Sequence, residues 1–80
     1  MPGPQRSPLV RLFGRNLRAA RIRAGLSQEA LAEEADLHPT FVGLVERGQR
    51  NISLASVERL AKALMVQAWE LLRPASGAKT

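Results

Sequence analysis

The sequence contains no cysteine, which excludes disulfide bonds and thiolate metal sites and suits a reducing compartment. His38 is the only histidine, so an imidazole-based metal or catalytic site would lack a second histidine. No apolar run approaches the length of a membrane span, and the N-terminus lacks the apolar core of a signal peptide. We therefore predict a cytoplasmic protein with no membrane partner, no metal site and no cofactor.

Aromatic residues are also scarce, since the chain has one tryptophan, two phenylalanines and no tyrosine. Hydrophobic residues nevertheless make up 45% of the 80 residues, so the core must be built mainly from leucine, alanine and valine. The length allows one small domain, near the lower limit at which a core alone gives stability. The prediction is a single all-α domain.

Acidic residues are absent from residues 1–25, which carry six arginines. Residues 26–46 reverse this balance with five acids and no arginine or lysine, and basic side chains return at Arg47 and Arg50. A charge run alone is usually an ordinary solvated face. Together with the net charge of +5, the basic segments favour a polyanionic partner such as nucleic acid.

Residues 27–48, SQEALAEEADLHPTFVGLVERG, have the pattern of two short helices joined by a tight turn. Ser27 is a favourable N-cap for the first helix, and the second begins at Pro39 with His38 as its cap. The turn needs a residue with positive φ, which Asp36 tolerates better than most residues. Such a helix-turn-helix unit places its second helix in the major groove of DNA.

A further helix is predicted upstream of this unit, over about residues 9–24. Residues 1–8, which contain three prolines and a glycine, form a disordered lead. Gly14 weakens the helix by about 1 kcal/mol relative to alanine. Apolar residues recur at helical spacing and should face the core: Leu9, Phe13, Leu17, Ala20 and Ala24.

Two more helices are predicted downstream, so that the folded domain spans residues 9–72. One follows an N-cap at Ser53, and the other is short and covers residues 66–72. Residues 73–80 form a flexible tail. The core positions are Leu54, Val57, Leu60, Ala61 and Leu64 in the longer helix, with Trp69 closing the bundle over the first helix.

Two ordered motifs carry a family resemblance: G-L-S-Q-E-x-L-A at residues 25–32 and T-F-V-x-x-V-E-R-G at residues 40–48. In these motifs the chain resembles the Xre/lambda-repressor-like family of DNA-binding domains. Residues 38–54 are similar in particular to small restriction–modification controller proteins. The resemblance covers about residues 13–72. It implies a compact five-helix bundle, a lambda-repressor-like DNA-binding domain with the helix-turn-helix at helices 2 and 3.

The resemblance also implies which side chains touch DNA. Gln28 contacts phosphate or a base edge, Thr40 and Leu44 face the groove, and Gly43 lets the backbone approach closely. Phe41 either lies over the sugar–phosphate backbone or packs in the core, and both interpretations stay open. The complete candidate set is Ser27, Gln28, His38, Pro39, Thr40, Phe41, Gly43, Leu44, Arg47, Gln49, Arg50 and Asn51.

Two other positions are assigned to structure. Arg21 and Glu46 match a buried or half-buried ion pair in the resembling family, which ties helix 1 to helix 3. A shielded pair of this kind is costly to break on one side only. We therefore expect the two side chains to lie within salt-bridge distance.

Together these observations predict a sequence-specific transcriptional regulator that binds an operator in double-stranded DNA as a homodimer, acting as an autoregulatory repressor or controller. The candidate dimer interface lies around Val66, Leu71 and Leu72, because these residues cannot all face so small a core. RNA polymerase is a candidate further partner.

Two other classes of function stay open at this point. An antitoxin with the same fold would bind a toxin protein as well as DNA. A protein-interaction module would use the bundle only as a scaffold. An enzyme is the weakest interpretation, because the sequence offers no nucleophile–base pair.

Overall fold

A computed structural model of the chain describes residues 7–74, and this part contains no β-strand, so the predicted all-α class is confirmed. The predicted count of five α-helices is wrong, because the last element is a 3-10 helix. None of the helices within these residues has both the length and the apolar character required to cross a bilayer. The elements are α1 (Pro8–Arg23), α2 (Gln28–Ala35), α3 (Pro39–Glu46), α4 (Leu54–Leu64) and the 3-10 helix (Ala68–Leu71).

Each α-helix begins after a side chain that accepts a hydrogen bond from a backbone N–H of its first turn. Such a bond satisfies one of the N–H groups that a helix leaves without an internal partner. The caps predicted at positions 27, 38 and 53 are confirmed. The four cap residues are Ser7, Ser27, His38 and Ser53, which accept from the N–H groups of Val10, Ala30, Thr40 and Ser56 at 3.3, 3.0, 3.1 and 3.1 Å.

Helix α1 begins inside the segment predicted to be a disordered lead. Pro8 takes the first helical position, where its missing N–H costs nothing, and Ser7 caps the helix. Residues 1–6 of the predicted lead and residues 75–80 of the predicted tail lie outside the described residues.

Buried apolar side chains from all five elements form one core. Four residues predicted to lie in it are instead exposed: Leu9 and Leu54, which lie in the first turns of their helices, Ala24, which follows the last residue of α1, and Trp69. The buried apolar residues are Phe13, Leu17, Ala20, Leu31, Ala32, Ala35, Val42, Val45, Val57, Leu60, Ala61, Leu64 and Leu71.

The 3-10 helix places Leu71 in the core and Trp69 outside it, which reverses the predicted arrangement. Because a 3-10 helix has three residues per turn, Ala68 and Leu71 lie on the same side, and both pack against the bundle. Leu71 is 2% exposed, whereas Trp69 is 58% exposed, with the Arg73 guanidinium carbon 5.5 Å from its ring centroid. Leu71 is therefore a core residue and not part of a dimer surface.

Asn16 of α1 ties the 3-10 helix to the rest of the bundle. Its Nδ2 donates hydrogen bonds to the carbonyl oxygens of Leu71, at 3.0 Å, and Arg73, at 2.7 Å. These bonds satisfy carbonyl groups that have no partner at the end of a helix. A single polar side chain thus fixes the C-terminal end of the fold against the middle of α1.

Helices α1 and α3 cross at Gly14. A Cβ atom at this position would lie 2.4 Å from the carbonyl oxygen of Val45 and 2.7 Å from that of Glu46. Only glycine allows two backbones to come this close. Gly14 is predicted to weaken α1 as a helix, but it also permits the close contact that fixes α3 against α1.

Candidate nucleic-acid interface

The turn between α2 and α3 depends on a residue in the left-handed region. Asp36 has φ 59° and ψ 49°, so the positive φ predicted for it is confirmed. This conformation lets the N–H of Leu37 donate to the carbonyl oxygen of Ala32 at 2.8 Å, which closes the end of α2. Helix α3 then begins at Pro39 and crosses the end of α2.

Arg59 of α4 holds the same turn. Its Nε donates to the carbonyl oxygen of Ala35 at 3.1 Å, and its Nη2 donates to that of Asp36 at 3.0 Å. A guanidinium at a helix C-terminus satisfies unpaired carbonyl groups and complements the helix dipole. This contact of Arg59 has no signal in the sequence, because Arg59 lies 24 and 23 residues from these carbonyls and no short motif links them.

A buried ion pair joins α1 to the end of α3. Arg21 Nε donates to Glu46 Oε2 at 2.6 Å, and Nη2 donates to Oε1 at 3.1 Å, so the predicted contact is confirmed. The two side chains are 12% and 2% exposed. The hydrogen bond that Arg21 donates to Glu46 raises the pKa of its guanidinium above its usual value, so Arg21 stays charged across the physiological pH range.

Gln28, the first residue of α2, is bonded to this pair. Its Nε2 donates to Glu46 Oε1 at 3.0 Å, and the side chain is half-buried. Arg21 Nη1 also donates to the carbonyl oxygen of Leu26 at 2.9 Å, directly before the cap residue Ser27. The N-terminus of α2 is therefore held by the ion pair at two points.

Gly43 of α3 is covered by side chains of the protein. A Cβ atom there would lie 3.3 Å from Oε1 of Gln28 and 3.5 Å from Nη1 of Arg47. The sequence predicts that the backbone at Gly43 can approach DNA closely, but in the structure these two side chains lie over Gly43 and leave it buried. The absence of a side chain instead makes room for the amide of Gln28.

The first turn of α3 presents Thr40 to solvent, as predicted. Pro39 before it and Leu44 one turn later are half-buried. A threonine hydroxyl can bond a base edge, and its methyl group can contact a thymine methyl, whereas leucine offers only the apolar contact. The exposed side of α3 thus carries few groups that can read bases.

Exposed polar side chains follow α3. The Arg50 guanidinium carbon lies 5.4 Å from the centroid of the Phe41 ring, and Arg47 Nε donates to Gln49 Oε1 at 3.5 Å. Phe41 is half-buried against the core, so its ring packs on the core and also contacts the guanidinium of Arg50. Asn51 is exposed beyond them. Core packing of Phe41 is therefore observed, and its contact with a sugar–phosphate backbone stays a prediction.

The N-terminus of α2 and the guanidinium groups of Arg47 and Arg50 have the chemistry of a phosphate-binding surface. Helix N-termini and guanidinium groups both donate hydrogen bonds to anions and favour negative charge. Phe41 directly follows Thr40, so Arg50 lies near the first turn of α3. A cation of the kind that binds phosphate and a hydroxyl of the kind that bonds base edges are thus both found around the start of α3.

The chain is similar to known proteins over most of its length. The sequence model of the helix-turn-helix domain matches residues 12–73. The chain is similar to control protein C.BamHI of Bacillus amyloliquefaciens, with 48% identity over 62 residues that cover 76% of each chain.

The fold is similar to two solved structures. One is the restriction-modification controller protein C.AhdI from Aeromonas hydrophila, with a TM-score of 0.76 and 48% identity over 78% of this chain and 94% of that chain. The other is the hypothetical transcription factor NHTF from Neisseria, with a TM-score of 0.82 and 40% identity over 86% of this chain and 78% of that chain.

Proposed function

Because this chain belongs to the helix-turn-helix domain family, we propose that it regulates transcription by binding an operator in double-stranded DNA as a homodimer. Similarity to proteins named as controllers and as a transcription factor supports this class of function. The observation that carries the proposal is the α2–α3 unit, whose left-handed turn at Asp36 leads into α3 with Thr40 exposed in its first turn and Arg50 against the ring of Phe41. The chain acts as a controller that also regulates its own promoter, by blocking or recruiting RNA polymerase.

In this mechanism, affinity and sequence preference come from different groups. Arg47, Arg50 and the N-terminus of α2 bind phosphates, which carry no sequence information. Thr40 and Leu44 contact base edges from α3. Because these two side chains offer at most one hydroxyl, part of the specificity comes from the shape of the DNA.

Arg50→Ala is expected to weaken DNA binding most at low salt, because the contribution of a phosphate contact falls as the salt concentration rises. Each lost phosphate contact flattens the slope of log K against log salt by roughly 0.9, or about 1.8 for a dimer on two half-sites. Specific and scrambled duplexes should lose affinity by similar factors. The measurement is fluorescence anisotropy across a salt series, using the duplex that the wild-type protein selects from a random-sequence pool.

Thr40→Ala is the matched variant for this test. It should leave the salt slope nearly unchanged and narrow the difference between selected and scrambled duplex by about 1 kcal/mol or less per half-site. If Arg50→Ala changed sequence preference while Thr40→Ala changed only the salt slope, the proposed placement of α3 would be wrong. If no duplex bound even at low salt, the chain would not be a DNA-binding regulator.

The proposed dimer surface surrounds the 3-10 helix. Met65 is 91% exposed and Trp69 is 58% exposed, and both are close in sequence to the half-buried Val66 and Leu72. Two large apolar side chains exposed so close together are typical of an interaction surface. To bind two half-sites one turn of DNA apart, a C2 dimer formed there must place its two copies of α3 about 34 Å apart.

Met65→Lys combined with Trp69→Lys is expected to convert the dimer into a monomer. The charges would be buried at the interface without partners, which opposes association. Sedimentation velocity at tens of micromolar measures the change. Leu54→Glu is the control, since Leu54 is equally apolar and 80% exposed but lies at the opposite end of α4, and it should leave the dimer intact. A wild-type protein that stays monomeric and binds its duplex as single subunits would contradict the proposal.

A further inference from the structure

The ion pair between α1 and α3 has a consequence for DNA binding, if the function proposed above holds. The geometry points to Arg21 and Glu46 as positioning residues that hold the Gln28 amide ready for contact with DNA. Neither residue needs to touch DNA for this role, since both are largely buried. The operator affinity of the protein then depends on an internal salt bridge.

The carboxylate of Glu46 determines which way the Gln28 amide faces. A carboxylate only accepts hydrogen bonds, so the group that faces Glu46 Oε1 at 3.0 Å must be the NH₂ of Gln28. The opposite orientation would bring two oxygen acceptors together. Glu46 itself is held by Arg21, whose Nε and Nη2 bond both carboxylate oxygens. The ion pair therefore sets the orientation of the Gln28 amide.

Gly43 supplies the space in which the amide lies. A Cβ atom at Gly43 would be 3.3 Å from Gln28 Oε1 and 3.7 Å from Gln28 Cδ, so the amide lies directly over the backbone of α3. The amide oxygen and the second N–H are not used by Glu46. Because Gln28 begins α2 and its amide overlies α3, these free groups lie between the two helices of the DNA-binding unit.

Fixing the amide before binding strengthens the complex. A free glutamine side chain loses rotamer freedom when it is ordered, and that loss weakens binding. When Glu46 holds Gln28, the loss has already occurred in folding. Arg21 also balances the charge of Glu46, so the carboxylate does not oppose a nearby phosphate. Removing the pair from a folded protein should therefore weaken binding about tenfold, the equivalent of one ordered side chain.

The test is a double-mutant cycle between Gln28→Ala and Arg21→Met/Glu46→Leu. The apolar pair preserves volume and leaves no buried charge, so this background is expected to fold. In the wild-type background, Gln28→Ala should weaken binding to the selected duplex about tenfold. In the apolar background, Gln28→Ala should weaken it less than about twofold, because the amide is no longer held. Glu46→Gln provides a second background that can still bond Arg21.

Thr40→Ala is the control, and it should weaken binding by the same factor in every background. Equal losses for Gln28→Ala in all backgrounds would overturn the proposal. NMR order parameters of the Gln28 side-chain NH₂ give a readout without DNA: we expect an ordered amide in the wild type and a mobile one in the apolar background. A mobile amide in the wild type would also overturn the inference. Failure of the wild type to bind any duplex, with an ordered amide, would instead contradict the proposed function.

Discussion

Replacement of Glu46 by alanine is expected to lower the free energy of unfolding by about 3–5 kcal/mol. The Arg21 guanidinium, which is 12% exposed, would lose its bonds to both carboxylate oxygens and keep only the carbonyl of Leu26. A charge left unpaired in a shielded position is far more costly than the loss of a surface ion pair. A domain of this size is stable by roughly 4–12 kcal/mol, so the variant would lose much of its stability.

Urea denaturation followed by circular dichroism measures this loss, provided the slope against urea concentration stays constant. The matched control is Arg21→Met/Glu46→Leu, which removes both charges and is expected to stay close to the parent in stability. If Glu46→Ala unfolded at the same urea concentration as the parent, the pair would contribute no more than a surface contact. Its proposed role in positioning Gln28 would then also lose its structural basis.

Gly14→Ala is expected to destabilise the domain by about 1–3 kcal/mol, although alanine favours helix by about 1 kcal/mol. The new Cβ atom would meet the carbonyl oxygens of Val45 and Glu46 at 2.4 and 2.7 Å. Both atoms belong to backbone and cannot rotate away as a side-chain tip can. Helix α3 would have to shift from α1, which should also weaken binding to the selected duplex.

Ala19→Gly is the matched control on the exposed side of the same helix. It should destabilise by about 1 kcal/mol, because glycine is the poorer helix former where nothing packs closely. The two changes thus test opposite preferences in one helix. At position 14 the protein should be less stable with alanine than with glycine, and at position 19 it should be more stable with alanine. A Gly14→Ala protein more stable than the parent would show that the two helices do not approach as closely as described.

Features that depend on neighbouring residues could be predicted from the sequence. The caps Ser27, His38 and Ser53 and the left-handed Asp36 follow from local hydrogen-bonding and steric preferences, and all four are observed. The contact between Arg21 and Glu46 is a long-range feature, and only the family resemblance made it predictable. The DNA contacts themselves stay predictions.

Features that depend on distant parts of the chain could not be predicted. Trp69 is predicted to close the bundle over the first helix, but the 3-10 turn directs Leu71 inward instead, and periodicity at α-helical spacing does not reveal that change. Gly43 was expected to face DNA, because nothing local indicates that Gln28 lies over it. The contact of Arg59 with the α2–α3 turn has no sequence signal for the same reason.

The two hydrogen bonds of Asn16 join positions 55 and 57 residues apart. Contacts between such distant positions close a long loop, and the entropy of that loop must be lost before they form. We therefore expect the 3-10 helix to fold late and to be among the first parts of the domain to open locally. Met65 lies just before this segment and Trp69 lies within it, so in the proposed dimer the association of two subunits would favour the closed form by mass action. We therefore expect the resistance of the fold to local opening, and hence to proteolysis, to rise with the concentration of the protein itself.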